Sequence, residues 1–447
     1  AEKALAADPY DLGAVEIASQ LQVEGGAIDA AAEVLGRALS GKDDGDDTVR
    51  ARKAGLWLRL GELRRERGDA KSSLVAFERA IALGTDTDAA VTARRALAAA
   101  YAGDAGKKAE LCELRRGIAA STAEATDVAA WSDELRRASR NDAARAALDL
   151  AMAMGHKPDI HQSAFLSVQK VHTWVADESY RGTVDAEGRA AYLVDPDDAP
   201  LAPVFAALAE AASILWPDPE EALALAGVEK ARRLTATTGG ASAIAYPRIA
   251  AALGTGAVLL YAVDHADAPD ARVVCAATPI VVLGPRVVAD AGSIDSAARF
   301  ALGRVAELSR PERFIAAGLA ELHACAVFAA LVRCFAPSAS HDAVRALFSD
   351  PDIQRVRDDQ VRGALSVKLR QRFEQLFASI PPLALDLRRY TAACHRVADR
   401  AGLLVSGDCA AALASAAASG AGAESIVAAV TTPAYATLRA TLGVGVR

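Results

Sequence analysis

One stretch of the chain constrains its fold more than any other. From Trp57 to Ala80, large apolar side chains (Trp57, Leu60, Phe77) and small ones (Gly61, Ala80) fall at helical spacing on either side of a Gly68-Asp69 turn. Two helices of this make can approach closely, because the small residues make room and the large ones fill the groove between them. Gly68 stands where the first helix ends on a left-handed residue. Leu97, Ala98 and Tyr101 repeat Leu60, Gly61 and Arg64 at a spacing of 37. Upstream, Ile17, Ala18, Leu21 and Gly25 read as a first helix and Leu35 with Ala38 as a second, while Ala4 and Pro9 fit the end of a still earlier one. Downstream, Trp131, Leu135, Ala147 and Ala151 read as a degenerate last unit. The array thus begins mid-repeat, as a truncated chain would. A helix pair cannot bury its apolar stripe alone, so recurrence of the unit implies stacked pairs sharing one continuous core. The composition favours helix as well: 108 of the 447 residues are alanine, the best helix former.

The order Trp57, Leu60, Gly61, then Phe77 and Ala80 resembles the tetratricopeptide repeat, W-x2-L-G-x2-Y followed by A-x3-F. Arg64 stands where Tyr is usual and Ser73 where Ala is usual. Over residues 1–155 the resemblance implies an α-solenoid with a concave face that holds a peptide or a partner protein. In that arrangement Trp57, Leu60, Gly61, Phe77 and Ala80 are core. The contacts come from the first helix of each pair, with Arg59 and Glu62 as the candidate binding residues. The plainer alternative is an architectural arm. Asp43-Asp44-Gly45-Asp46-Asp47 reads as a solvated loop between units.

Past Gly155-His156-Lys157-Pro158 the rhythm stops, and residues 156–447 read as a second, α+β domain. Helical patterns cover 161–180, 202–215 and 220–234, with a turn-rich Asp195–Pro200 connection and a Gly239-Gly240 break. Residues 257–263, 272–276 and 280–283 are short apolar runs closed by turn signals, which predict a small antiparallel sheet within about 257–284. Helices are expected at 293–308, 312–335, 341–349, 361–378, 384–401 and 407–418. The chain as a whole is therefore expected to be mainly α, a helical array followed by an α+β domain.

Ile280–Gly284 followed by the helix around 297–307 also resembles the strand-then-helix order of zincin-type metallopeptidases. The H-E-x-x-H slots fall on Gly303, Arg304 and Glu307, so both imidazole ligands and the general-base Glu are missing. The resemblance implies a domain that kept the shape and lost the metal and the chemistry, a pseudoenzyme.

Other chemistry is sparse. The histidines are 156, 161, 172, 265, 323, 341 and 395, with no HxxxH pair. GxSxG, the phosphate loop GxxxxGK[ST] and a strand-following GxGxxG are absent. No catalytic, cofactor or metal-ligating residue is assigned. Asp408 reads as a helix cap, and Cys409 behind it as the one thiol with a helix N-terminus to activate it. The six cysteines lie scattered among apolar residues and read as buried thiols, which with the lack of a signal-peptide pattern places the chain in the cytoplasm. Phe314–Leu331 contains Glu321 and His323 and reads as a core helix, so no membrane span is expected.

Residues 351–400 carry ten basic and six acidic side chains, interleaved as on a solvated helix face, with Tyr390 beside Arg389. With a net charge of −7, no nucleic-acid partner is expected. The reading is a non-enzymatic adaptor or scaffold that joins protein partners in a larger complex; the alternative is a cryptic, metallopeptidase-like hydrolase in the C-terminal domain.

Overall fold

The computed structural model describes the chain except for residues 1–6, 9, 41–45, 85–86, 171–174, 176, 229, 266, 289–293, 337–350 and 447. Ala4, Pro9, His172, His341, most of the acidic loop at 43–47 and the helix expected over 341–349 lie outside the described residues. The protein is mainly α with one small sheet, and it divides into two compact units, Ala1–Ala164 and Phe165–Arg447. The division falls past the expected 155/156. Residues 156–162 are tied to the first unit: His156 Nε2 lies 2.8 Å from Gln162 Oε1, and Gln162 Nε2 donates to Asp133 at 3.3 Å.

The first unit is a run of helices: α1 (Leu12–Glu24), α2 (Ile28–Ala38), α3 (Asp47–Glu66), α4 (Ala70–Leu83), α5 (Asp88–Tyr101), α6 (Lys108–Thr122), α7 (Ala125–Arg137) and α8 (Asn141–Ala153); α9 (Ile160–Val168) begins in it and ends past the division. From α1 to α8 each packs on the next, and the first helices α1, α3 and α5 also touch in turn.

The α3–α4 pair shows why. A β-carbon at Gly61 would lie 2.6 Å from the Phe77 ring, so only glycine admits the aromatic there. Leu60, Phe77 and Ala80 are buried, and Trp57 bridges the clusters on either side. Gly68 has φ +79°, and Asp69 caps α4 by accepting from the Ser72 N–H. The two unusual slots are satisfied: Ser73 Oγ donates to the Gly61 carbonyl at 2.8 Å, and Arg64 to the Ser72 carbonyl at 3.2 Å. In α1 the core is Ala14, Val15, Ala18 and Ser19, whereas Ile17 and Leu21 are exposed, not core slots as their spacing suggested.

The second unit holds α10 (Ala186–Tyr192), α11 (Ala202–Ala209), α12 (Ala212–Leu215), α13 (Pro219–Leu225), β1 (Arg232–Leu234), α14 (Gly240–Ala252), β2 (Leu259–Ala262), β3 (Ala271–Val274) and β4 (Ile280–Leu283). It continues with α15 (Ser296–Leu308), α16 (Phe314–Gly318), α17 (Glu321–Phe335), α18 (Pro351–Ala364), α19 (Val367–Ser379), α20 (Leu387–Ser406), α21 (Cys409–Ala418), α22 (Gly422–Thr431) and α23 (Pro433–Leu442).

The sheet corrects the antiparallel expectation. Its order is β1-β2-β4-β3; β2 and β4 run parallel, from Leu259 opposite Ile280 to Ala262 opposite Leu283, and both outer pairs are antiparallel. The reason lies in the residues. Ile280–Leu283 is apolar and buried at all four positions, so β4 takes an inner place, where a plain meander would have left it at the edge. Arg232 and Arg233 are exposed on β1, and charge suits an edge. The helix expected over 220–234 stops at Leu225, where Gly227 turns with φ +68°. The helix expected over 312–335 is broken after Gly318, because a β-carbon there would lie 2.7 Å from the Cys275 nitrogen, which donates to the Gly318 carbonyl. Helix α14 begins at the supposed Gly239-Gly240 break.

Candidate functional site

Two places gather functional side chains, one in each unit. In the first, α1 and α3 lie side by side and leave a groove of about 510 Å³ between them, lined by Glu16, Gln20 and Glu24 from one helix and Arg52, Gly55 and Arg59 from the other. Arg52 reaches across it to Glu16, with its two nitrogens at 3.0 and 3.3 Å from one carboxylate oxygen. Arg59 lies in this groove. Glu62 does not line it but stands one turn on, paired with Arg59 at 3.4 Å. Both pairs are partly solvated, which leaves them weak and exchangeable.

In the second unit α15 crosses α20, and Gly303, Arg304 and Glu307 lie at this crossing. Gly303 is contact surface: a β-carbon there would lie 2.4 Å from Val405 Cγ2 and 3.1 Å from the Gly402 Cα. Arg304 donates from Nε to Asp399 Oδ1 at 2.7 Å and from its terminal nitrogen to His395 Nδ1 at 3.1 Å. Ser415 adds a 2.8 Å bond to the same Asp399 oxygen. Glu307 is fully buried and accepts from Arg189 at 2.7 Å and from Arg313, which also grips Asp198. Next to these, Arg396 holds Asp195 through two bonds at 2.8 and 2.9 Å and reaches Asp197.

Environment sets the protonation of these groups. Burial pulls His395 down to about 4, helped by the Arg304 charge, so its ring is neutral at pH 7. Burial pushes Asp399 and Asp198 up, in each case against the pull of an arginine. Asp195 goes the other way: burial raises it, but the Arg396 hydrogen bond and the charges of Arg396 and Arg400 hold it below the usual range. Arg313 is also desolvated, yet Glu307 and Asp198 hold its charge more firmly than in water.

Arginine and carboxylate at these distances make a cross-braced scaffold. Among the described residues no group of three or more His, Cys, Asp and Glu is placed to hold a metal ion. No two cysteines are joined, and five of the six are buried. Burial pushes Cys394 up to about 12 and Cys275 further still, which leaves both as unreactive thiols. Asp408 caps α21 as its position suggested, accepting from Ala411 N–H at 2.8 Å and from Ser296 Oγ at 2.7 Å; Cys409 behind it is buried.

The turn-rich 195–200 segment is the largest surprise for a sequence reader, since Asp195 and Asp198 are buried anchors, not solvated turn residues. Tyr390 offers no stacking surface: it is buried and stacked on Phe205 at 4.8 Å, while Arg362, Lys368, Arg370 and Arg372 line exposed helix faces.

No family model, no curated protein and no solved structure matches this chain. No helix among the described residues is long and apolar enough to cross a membrane.

Proposed function

We propose that the chain is a protein–protein adaptor whose tetratricopeptide-like first unit takes an extended segment of a partner along the faces of its first helices. The carrying observation is the α1–α3 groove, where Arg52, Arg59, Glu16 and Glu24 stand around an open channel of about 510 Å³. A stacked helical array offers a long surface without building a catalytic pocket, and half-solvated ion pairs can be exchanged for a partner's charges at little cost. The crossing of α15 and α20 then supplies structure, with its zincin-like slots given over to packing and ion pairs. The partner's identity and the compartment, which we take to be the cytoplasm, belong to this reading.

The test is chemical cross-linking of the full chain against two variants, the charge reversal Arg52→Glu/Arg59→Glu and deletion of 1–155. Loss of the same partners in both supports the adaptor. An unchanged partner set in both removes it.

A further inference from the structure

A second cleft, of about 580 Å³, lies wholly within the second unit, between α12–α13 on one side and α17–α18 on the other. Its floor is an aromatic–cation stack: the Arg357 guanidinium sits 5.3 Å from the centroid of the Trp216 ring. Arg357 is half-buried, and its one hydrogen-bond partner among the described residues is the neutral amide of Gln360. No carboxylate among the described residues lies within ion-pair distance of it or of its exposed neighbour Arg355. Two further polar atoms at this site are buried without a partner among the described residues, the Trp216 Nε1–H and His323 Nδ1. Around the rim stand aliphatic side chains that a lone domain gains nothing by exposing: Ile214 at 69%, Leu225 at 76% and Val356 at 51%.

Each feature has a cost in the isolated chain. A desolvated guanidinium without a counter-charge is destabilising, and burial accordingly lowers the proton affinity of Arg357 and, with the Arg357 charge, that of His323. Three exposed aliphatic residues on separate elements contribute nothing to the core. One ligand relieves both, a carboxylate for Arg357 with apolar groups on either side for the rim. The combination of Trp, Arg and flanking aliphatic groups is also what concentrates binding energy at protein interfaces.

We infer that this cleft docks a peptide segment of a partner protein in which an acidic side chain is flanked by aliphatic ones. The carboxylate pairs with Arg357 over Trp216, and the aliphatic side chains cover Ile214, Leu225 and Val356. Glu221 and Asp352 also line the cleft and repel a second acidic side chain, so the segment carries a single carboxylate, the one for Arg357. This surface is distinct from the α1–α3 groove and stands whether or not that groove binds anything.

The experiment uses the full chain and two capped peptides, acetyl-GLLELG-amide and its Gln isostere acetyl-GLLQLG-amide, titrated by calorimetry and tryptophan fluorescence. The acidic peptide binds at least about tenfold more tightly than the isostere, the size of one charge-assisted hydrogen bond. Arg357→Met abolishes that difference while leaving the isostere unchanged. The exposed-rim variant Leu225→Ser, which does not endanger folding, weakens both peptides. Arg52→Glu/Arg59→Glu binds both as the parent does, so a failure of the adaptor groove leaves the result intact. Equal binding of the two peptides, or no binding up to about 5 mM, overturns the inference. So does concentration-dependent self-association that Leu225→Ser abolishes, since the occupant would then be a second copy of the chain.

Discussion

The two units treat charge in opposite ways. In residues 1–164 most ion pairs sit in solvent, as in Arg37 with Glu33, Arg116 with Glu113, and Arg52 across to Glu16. Buried hydroxyls there each answer one carbonyl, Ser73 that of Gly61 and Ser132 that of Ala144. In residues 165–447 the carboxylates of Asp195, Asp198, Glu307 and Asp399 are buried, and arginines far away in the chain hold them. The first unit is therefore held by interlocking apolar and small side chains, and most of its charges remain on the surface. The second has committed its charges to holding elements in register. A buried ion pair adds little net stability over a well-packed apolar pair, but losing one partner leaves the other charged and dry.

That asymmetry gives the largest expected effect. Glu307→Ala leaves Arg189 and Arg313 facing each other without their shared carboxylate, and is expected to cost about 3–5 kcal/mol. Urea unfolding followed by circular dichroism measures it. A loss below about 1 kcal/mol would mean that the network is no more than a surface pair, and the contrast between the units would fall.

The next effect is one of pH. The folded pKa of His395 is about 4, below its ordinary 6.5, so between those values the unfolded chain binds a proton that the native one does not. The contribution of His395 is fully present above about pH 6.5 and is lost as pH falls toward 4, by about 2–3 kcal/mol. Asp399 and Asp198, raised by burial, work in the opposite direction, because the native state takes up their protons first. Comparing parent and His395→Gln by urea midpoints at neutral pH and near pH 4.5 isolates the histidine. The variant is expected to lose less stability on acidification, and parallel curves would show that the imidazole is not held neutral by its surroundings.

How far the sequence could be read follows from the same difference. In the first unit the contacts that spacing revealed are local: Gly61 meets Phe77 and Gly68 turns the chain, within about one repeat, whereas the cap that Asp69 gives the next helix was not foreseen. Arg59 lines the α1–α3 groove and Glu62 stands one turn on, paired with it. In the second unit the partners of Glu307 and Arg304 come from segments that carry no periodic mark. Asp195–Asp198 looked like an ordinary polar turn because turn composition and a buried anion anchor are written with the same residues. The sheet's strands showed in their β-branched runs, but their order did not. Order depends on which strand is buried on both faces, and only β4 shows that, weakly, in its unbroken apolar run.

A smaller effect tests packing at the crossing. A β-carbon on Gly402 would lie 2.7 Å from the Phe300 carbonyl oxygen, a backbone atom that cannot swing away. Gly402→Val is expected to cost about 1–3 kcal/mol by forcing α15 and α20 apart. Thermal unfolding reads this directly. If the variant matched the parent, close approach of the two helices would not be what positions Arg304 against Asp399.

The smallest stability effect belongs to the residue the adaptor reading depends on most. Arg59 pairs with Glu62 on its own helix at 3.4 Å, and both side chains are partly solvated. Such a pair contributes about 0–1 kcal/mol, so Arg59→Ala should leave the unfolding midpoint almost where it was. Its consequence should appear in binding, as a lowered affinity for a partner that the intact array captures. A charge that is cheap to remove from the fold is one the fold does not need, and in the first unit that leaves it available for recognition. If Arg59→Ala instead unfolded the array as Glu307→Ala is expected to unfold the second unit, Arg59 would be architecture, and the two units would use charge in the same way after all.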